Sequence, residues 1–140
     1  MSKQDNIATT QRLGEAVNSG NLDAFHEVFA PSAIDRDPAS DQGPGPEGFI
    51  HFFTGFRAAF PDLNVSVEQL VADDDNVAFA YTITGTHQGD FLGVPATGRR
   101  IKARGVQIAR FENGLIVERW GSSDQLGILQ QIGVDPLATG

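Results

Sequence analysis

The run Arg99–Asp124 (RRIKARGVQIARFENGLIVERWGSSD) constrains the fold of this chain more than any other stretch. Apolar and polar residues alternate on both sides of Glu112-Asn113-Gly114, the period of two that marks strands. A three-residue loop of this composition predicts a type I turn closed by a left-handed Gly114. The strands would then pair Phe111 with Leu115, Ala109 with Val117, Gln107 with Arg119 and Gly105 with Gly121. Ile108 with Glu118 and Val106 with Trp120 would share the other face. Polar groups among apolar ones on a central hairpin suit a sheet with one face lining a pocket. The pairing alone leaves open which face that is.

The preceding chain supplies the partners of such a hairpin. Asp5 to Asn18 can form a helix burying Ile7, Leu13, Ala16 and Val17, ended by Asn18-Ser19-Gly20. Asn21 is placed to cap a short helix with the apolar face Leu22, Phe25, Val28 and Phe29, limited by Pro31. Ala33-Ile34 fits a brief strand, and Asp37–Gly45 reads as loop. Pro46 and Glu47 suit the first turn of a further helix. In it Phe49, Phe52, Phe53, Phe56 and Phe60 recur at spacings of three and four, and Phe60-Pro61 stops it. From Leu63 the period becomes two. A strand through Val65 and Val67 is followed by a turn at Asp73–Asn76 and a second strand, Val77 to Thr86. His87–Gly98 is a Gly/Pro-rich connection into the hairpin. Asp124 can cap a last helix, Gln125 to Gln131, burying Leu126, Leu129 and Ile132, with a loose tail at 136–140. Helices followed by an antiparallel meander predict an α+β fold: one domain over 1–140, a bent sheet wrapped as a cone-shaped barrel around the helices, with one central cavity.

Composition removes several function classes. There are no cysteines, so thiolate catalysis and cysteine–zinc sites are excluded. The histidines (His26, His51, His87) lack metal-ligand spacing, so no metal is expected. A net charge of −8 opposes binding to nucleic acid or anionic membrane surfaces. No apolar run approaches the roughly 18–20 residues of a membrane span, and MSKQDNIATT lacks the apolar core of a signal peptide. A cytoplasmic protein with a small-molecule partner is expected.

Few motifs rise above a structural explanation. Gly43–Gly48 matches GxGxxG but follows no strand, and its prolines remove amides that a pyrophosphate needs; it reads as a rigid helix entry. Asp73–Asp75 lacks calcium-loop spacing. In Asp35-Arg36-Asp37 the two carboxylates can share one side while Arg36 takes the other, as a surface ion cluster or as pocket groups. His87, at a strand end, either bonds the loop or serves as a general acid–base, with a histidine's ordinary pKa of about 6.5. Glu118 should pair with a neighbouring arginine. Gln107 and Arg119 both donate hydrogen bonds, as a polarised carbonyl oxygen requires. Asp124 is either a helix cap or a general base.

Specific phrases then carry a resemblance: Ala59-Phe-Pro-Asp-Leu63, the run Gly85–Arg100 (GTHQGDFLGVPATGRR), Arg110-Phe-Glu-Asn-Gly114, Val117-Glu-Arg-Trp120, and Asp124–Gly133 (DQLGILQQIG). Together they span nearly the whole chain and resemble the SnoaL-like polyketide cyclase (ester cyclase) family of the nuclear-transport-factor-like superfamily. The resemblance implies a cone enclosing one apolar cavity, commonly as a homodimer. It also implies intramolecular aldol ring closure with neither cofactor nor metal, using a histidine and an aspartate on the central strands. Laid on this chain, those two positions are Gln107 and Gly121, and a histidine common before Asp-Pro is Arg36.

The leading expectation is therefore acid/base chemistry on an apolar aromatic or polyketide-like molecule. Asp124, Asp35 or His87 would move the proton. Gln107 and Arg119 would hold the enolate oxygen, and Trp120, Phe53, Phe56 and Tyr81 would contact the substrate. Loss of the histidine and aspartate instead suits a non-catalytic binding protein. Epoxide hydrolysis is a third possibility if an Asp-Arg-Asp set converges in space.

Overall fold

In the computed structural model, which describes residues 2–134, the hairpin lies inside a five-stranded sheet of order β1-β5-β4-β3-β2. The strands are β1 (Phe29–Asp35), β2 (Asn64–Ala72), β3 (Asn76–Thr86), β4 (Arg100–Glu112) and β5 (Leu115–Ser123). Burial alternates strictly along β4: Ile101, Ala103, Gly105, Gln107, Ala109 and Phe111 point inward, with Lys102, Arg104, Val106 and Ile108 outward. The inner face is the one carrying Gln107, Arg119 and Gly121.

The hairpin register differs from the sequence reading in two places. The loop has two residues, not three: Asn113 and Gly114 sit at φ 53° and 75°, the positive values that a type I′ turn requires, and Glu112 pairs with Leu115. Farther along, Val117 is an extra residue between the Phe111–Ile116 and Arg110–Glu118 pairs, a β-bulge. Gln107 is consequently opposite Gly121, and Arg119 opposite Ala109. The two shifts add to an even number of residues, so the side chains from Glu118 onward keep their expected faces, whereas Leu115 and Ile116 exchange theirs and Ile116 is the one buried opposite Phe111.

The sheet is mixed and does not close. β1 runs parallel to β5, where a wholly antiparallel meander was expected, and pairs Asp35 with Arg119. β1 is also longer than Ala33-Ile34, starting at Phe29. Pro31 fits because β1 is an edge strand, where a missing amide costs no ladder bond. The segment before it, Leu22–Glu27, is a 3₁₀ helix, and Asn21 provides no side-chain cap. At the other edge, Asn18 closes both backbone groups of Val65, donating to its carbonyl (3.1 Å) and accepting from its amide (2.7 Å).

Three helices cover the inner face. α1 (Lys3–Ser19) begins earlier than expected because Ser2 and Asp5 form a reciprocal capping box. α2 (Gly45–Ala59) carries the phenylalanine stripe; Phe49 stacks on Phe29 at 4.0 Å between centroids, and Phe60, just past its end, is fully buried. Gly48 packs against the carbonyl of Gly43, which explains the glycine pattern as a tight helix entry. α3 (Gln125–Gln131) is capped by Asp124, which accepts from Gly127 N (2.8 Å). It buries Ile128 rather than Leu126, which stays exposed. The expected tail at 136–140 lies outside the described residues.

Because Gly114 holds positive φ, Gly114→Val should lower stability by about 1–2 kcal/mol. Chemical denaturation would show this as an earlier midpoint with an unchanged slope.

Candidate active site

A cavity of about 940 Å³ opens between the inner sheet face and the helices. Its apolar wall comes from the stripe of α2, with Phe52, Phe53 and Phe56, together with Phe79 and Phe91. Its polar floor lies where β1, β5 and β4 run side by side, and Arg119 is the centre of that floor. Nε of Arg119 donates to Gln107 Oε1 (2.9 Å), and Nη1 donates to both carboxylate oxygens of Asp35 (3.1 and 3.3 Å). Asp35 also accepts from Gln42 Nε2 (3.0 Å) and from the amide of Asp37 (2.9 Å). Both side chains of the ion pair are largely buried, 7% exposed for Asp35 and 19% for Arg119.

Nε and Nη1 are thus both engaged, on two different strands, which fixes the guanidinium plane. Nη2 has no acceptor among the described residues and rests over Gly121, where any side-chain carbon would overlap it. The glycine at this position is what makes room for the arginine. Gln107 spends its carbonyl on Arg119 and keeps its amide hydrogens for the cavity.

Tyr81 completes the floor. Its ring covers Gly105, the β4 residue opposite it, where a Cβ would collide with the phenol. Burial pushes the phenol pKa up, and the positive charge of Arg119 and a hydrogen bond with Ser123 only partly oppose this. Tyr81 is therefore a neutral donor near neutral pH.

Asp35, Gln107, Arg119, Phe53, Phe56 and Tyr81 all line the cavity. Three other residues singled out in the sequence do not. The carboxylate of Asp124 caps α3. His87 is fully buried outside the cavity wall, its Nδ1 accepting from the Thr97 amide (3.2 Å) and bonded to the Thr97 hydroxyl (3.0 Å). Trp120 follows Arg119 directly, so strand alternation turns it to the outer face beside Ile108.

The Asp35-Arg36-Asp37 triplet splits by alternation. Both aspartates line the cavity, whereas Arg36 crosses the outer face to Glu118 (2.6 Å), which also takes Arg110 (3.1 Å). Hydrogen bonds from Arg36 and then Arg110 hold the Glu118 carboxyl below its ordinary range. Gln42, at the floor, and Asp41, paired with His51 of α2 (3.2 Å) on the cavity wall, carried no signal in the sequence because their Gly/Pro-rich loop has no periodicity to place them. Asp37 did carry one, its spacing of two from Asp35.

Comparison with known proteins gives a consistent result. The family model of SnoaL-like polyketide cyclases matches residues 7–132. The chain is similar to aklanonic acid methyl ester cyclase DauD of Streptomyces sp. (strain C5), with 29% identity covering 91% of this chain and 81% of DauD. It is also similar to the nogalonic acid methyl ester cyclase of Streptomyces nogalater, 30% identical over 86% of this chain and 91% of that one. Among solved structures, TsrD from Streptomyces laurentii superposes at a TM-score of 0.87 with 26% identity, over 95% of this chain and 98% of TsrD. IdmH of Streptomyces antibioticus gives 0.80 with 35% identity, over 92% and 99%.

Tyr81 is the sole tyrosine of the chain, so its titration can be read directly. Ultraviolet difference absorbance should place its midpoint above the ordinary value of about 10, and Arg119→Gln should raise it further by removing a nearby positive charge.

Proposed function

The chain belongs to the SnoaL-like polyketide cyclase family, and from that premise we propose that it closes a carbon–carbon ring in an ester-bearing polyketide or related aromatic molecule. The observation that carries this reading is the immobilised Arg119, with Nη2 and the Gln107 amide both free to donate into the cavity. An aldol step builds negative charge on an enolate oxygen and then on an alkoxide. Preorganised donors in a partly water-excluded site stabilise such charge far better than water does. The residues act in three roles. Arg119 and Gln107 receive the oxygen, Asp35 holds the arginine rather than exchanging protons, and the phenylalanines with the phenol of Tyr81 seat an apolar, aromatic substrate. Such a molecule, present in the cytoplasm, needs no cofactor for this chemistry.

This site differs from the one the family resemblance implies. Where a histidine and an aspartate are expected, Gln107 and Gly121 stand, and the guanidinium occupies the space above the glycine. At these two positions a fixed positive charge stands where a proton carrier is expected. The nearness of Asp35, Arg119 and Asp37 also supports epoxide hydrolysis as a second reading. Hydrolysis puts an atom of solvent oxygen into the product, and ring closure puts in none.

We also propose a homodimer formed through the outer sheet face. There Trp120, Ile108 and Val106 are exposed together, beside the mixed charges of Arg36, Glu118 and Arg110. An apolar strip bordered by both signs of charge suits a two-fold contact, in which each copy offers its basic groups to the acidic group of the other.

Two measurements test these readings. With aklanonic and nogalonic acid methyl esters as probes, Arg119→Gln should lower kcat by about 10²–10³-fold, the usual loss for an oxyanion donor. Equal turnover in both proteins would remove Arg119 from the chemistry. By sedimentation velocity the chain should run as a dimer and Trp120→Glu as a monomer; a monomeric native chain contradicts the interface.

A further inference from the structure

We propose that Asp37 is the group that takes and returns the proton in this site. The assignment rests on the cyclase reading above and names the residue that reading leaves open. Four carboxylates line the cavity: Asp35, Asp37, Asp41 and Asp90. Both oxygens of Asp35 are engaged, by Arg119, Gln42 and the Asp37 amide. Asp41, exposed as Asp37 is, has its Oδ2 held by His51 at the cavity wall. Asp90 belongs to the loop after β3, a strand separated from β5 by β4.

Asp37 is placed differently. Its Oδ2 accepts from the amide of Gly121 (2.9 Å), which carries the β1–β5 pairing one step beyond the Arg36–Arg119 backbone bond (2.8 Å). Oδ1 has no partner among the described residues. The same Gly121 lies beneath the Arg119 guanidinium. A free carboxylate oxygen and an open guanidinium nitrogen therefore flank one residue that has no side chain of its own. A carbonyl whose oxygen meets Nη2 would place its adjacent C–H on the side of Asp37.

The step balances within the substrate. The C–H bond beside the carbonyl breaks and its proton passes to Oδ1 of Asp37. The electron pair forms the enolate double bond, while the carbonyl π pair moves onto the oxygen at Arg119. The enolate carbon then bonds to a second carbonyl carbon, and the resulting alkoxide takes the proton back from Asp37. Reactant and product are isomers, and the carboxylate is regenerated.

The competing explanation is that Asp37 only caps the strand end, and Asp37→Asn separates the two. The asparagine side-chain oxygen can still accept the Gly121 amide, but asparagine cannot carry a proton in this pH range. The assay is solvent-deuterium entry at the acidic carbon of methyl benzoylacetate, followed by NMR with the full chain. The native protein is expected to exceed the buffer rate. Asp37→Asn should reduce that excess by at least about tenfold, toward the 10²–10⁴-fold typical of a lost general base, with its unfolding midpoint unchanged. Should Asp37→Asn fail to fold, Asp37→Ser, which also keeps an acceptor, is read in the same way. Exchange retained in the variant, or absent from the native protein, overturns the assignment. Arg119→Gln run alongside separates the two claims. Exchange lost there but kept in Asp37→Asn removes Asp37 and leaves the cyclase reading. The reverse pattern keeps Asp37 and removes the oxyanion role of Arg119.

Discussion

The ion pair between Asp35 and Arg119 is the interaction on which the interior of this protein depends. It joins directly paired residues of the parallel β1–β5 ladder, and Gln107 extends it to β4. Three strands thereby converge on one guanidinium. A pair this buried adds little net stability, because desolvation offsets most of the attraction, yet removing either partner strands a charge at a cost of about 3–5 kcal/mol. Its value is positional. An arginine side chain has several rotatable bonds, and here each is fixed by an acceptor or by packing over Gly121. The one edge left open faces the cavity.

The surrounding structure serves that placement. Gly121 and Gly105 are both substrates for close approach, the first by Arg119 and the second by Tyr81, so the inner face gains two polar groups by omitting two side chains. The phenylalanines of α2 wall off the opposite side and lower the local polarity, which strengthens any charge interaction at the floor. The loop from Asp37 to Gly45 returns Gln42 to Asp35, so a segment without regular structure still closes the network.

Local patterns in the sequence disclosed most of the scaffold. The α2 stripe, the Asp73–Asn76 turn, the long β3 and β4 strands and the Asp124 cap all follow from periodicity or capping chemistry. The register did not. Glu112-Asn113-Gly114 suits both a two- and a three-residue loop, and nothing in Leu115–Glu118 marks Val117 as a bulge. The two register errors cancelled in parity, so Gln107, Arg119 and Gly121 still share one face, but the pairing left open which face turns inward. The parallel pairing of β1 was likewise hidden, since it links residues far apart in the chain that carry no shared local signal. Of the site, Gln107 and Arg119 were legible as polar residues sharing one hairpin face; the burial pattern of β4 is what turns that face inward. The orientation of Arg119 by Asp35, which Gln42 holds in turn, depends on that long-range pairing, whereas the shared side of Asp35 and Asp37 was legible from their spacing of two.

The role proposed for Arg119 is to present its free edge to an oxygen bearing developing negative charge. A crystal structure of the protein with a planar aromatic ligand carrying an enolised 1,3-dicarbonyl tests this most directly. An enol oxygen should lie within hydrogen-bonding distance of Arg119 Nη2 and the Gln107 amide, with the Asp35 contacts intact. A ligand whose oxygens all point to the cavity mouth, leaving Nη2 unengaged, would contradict it.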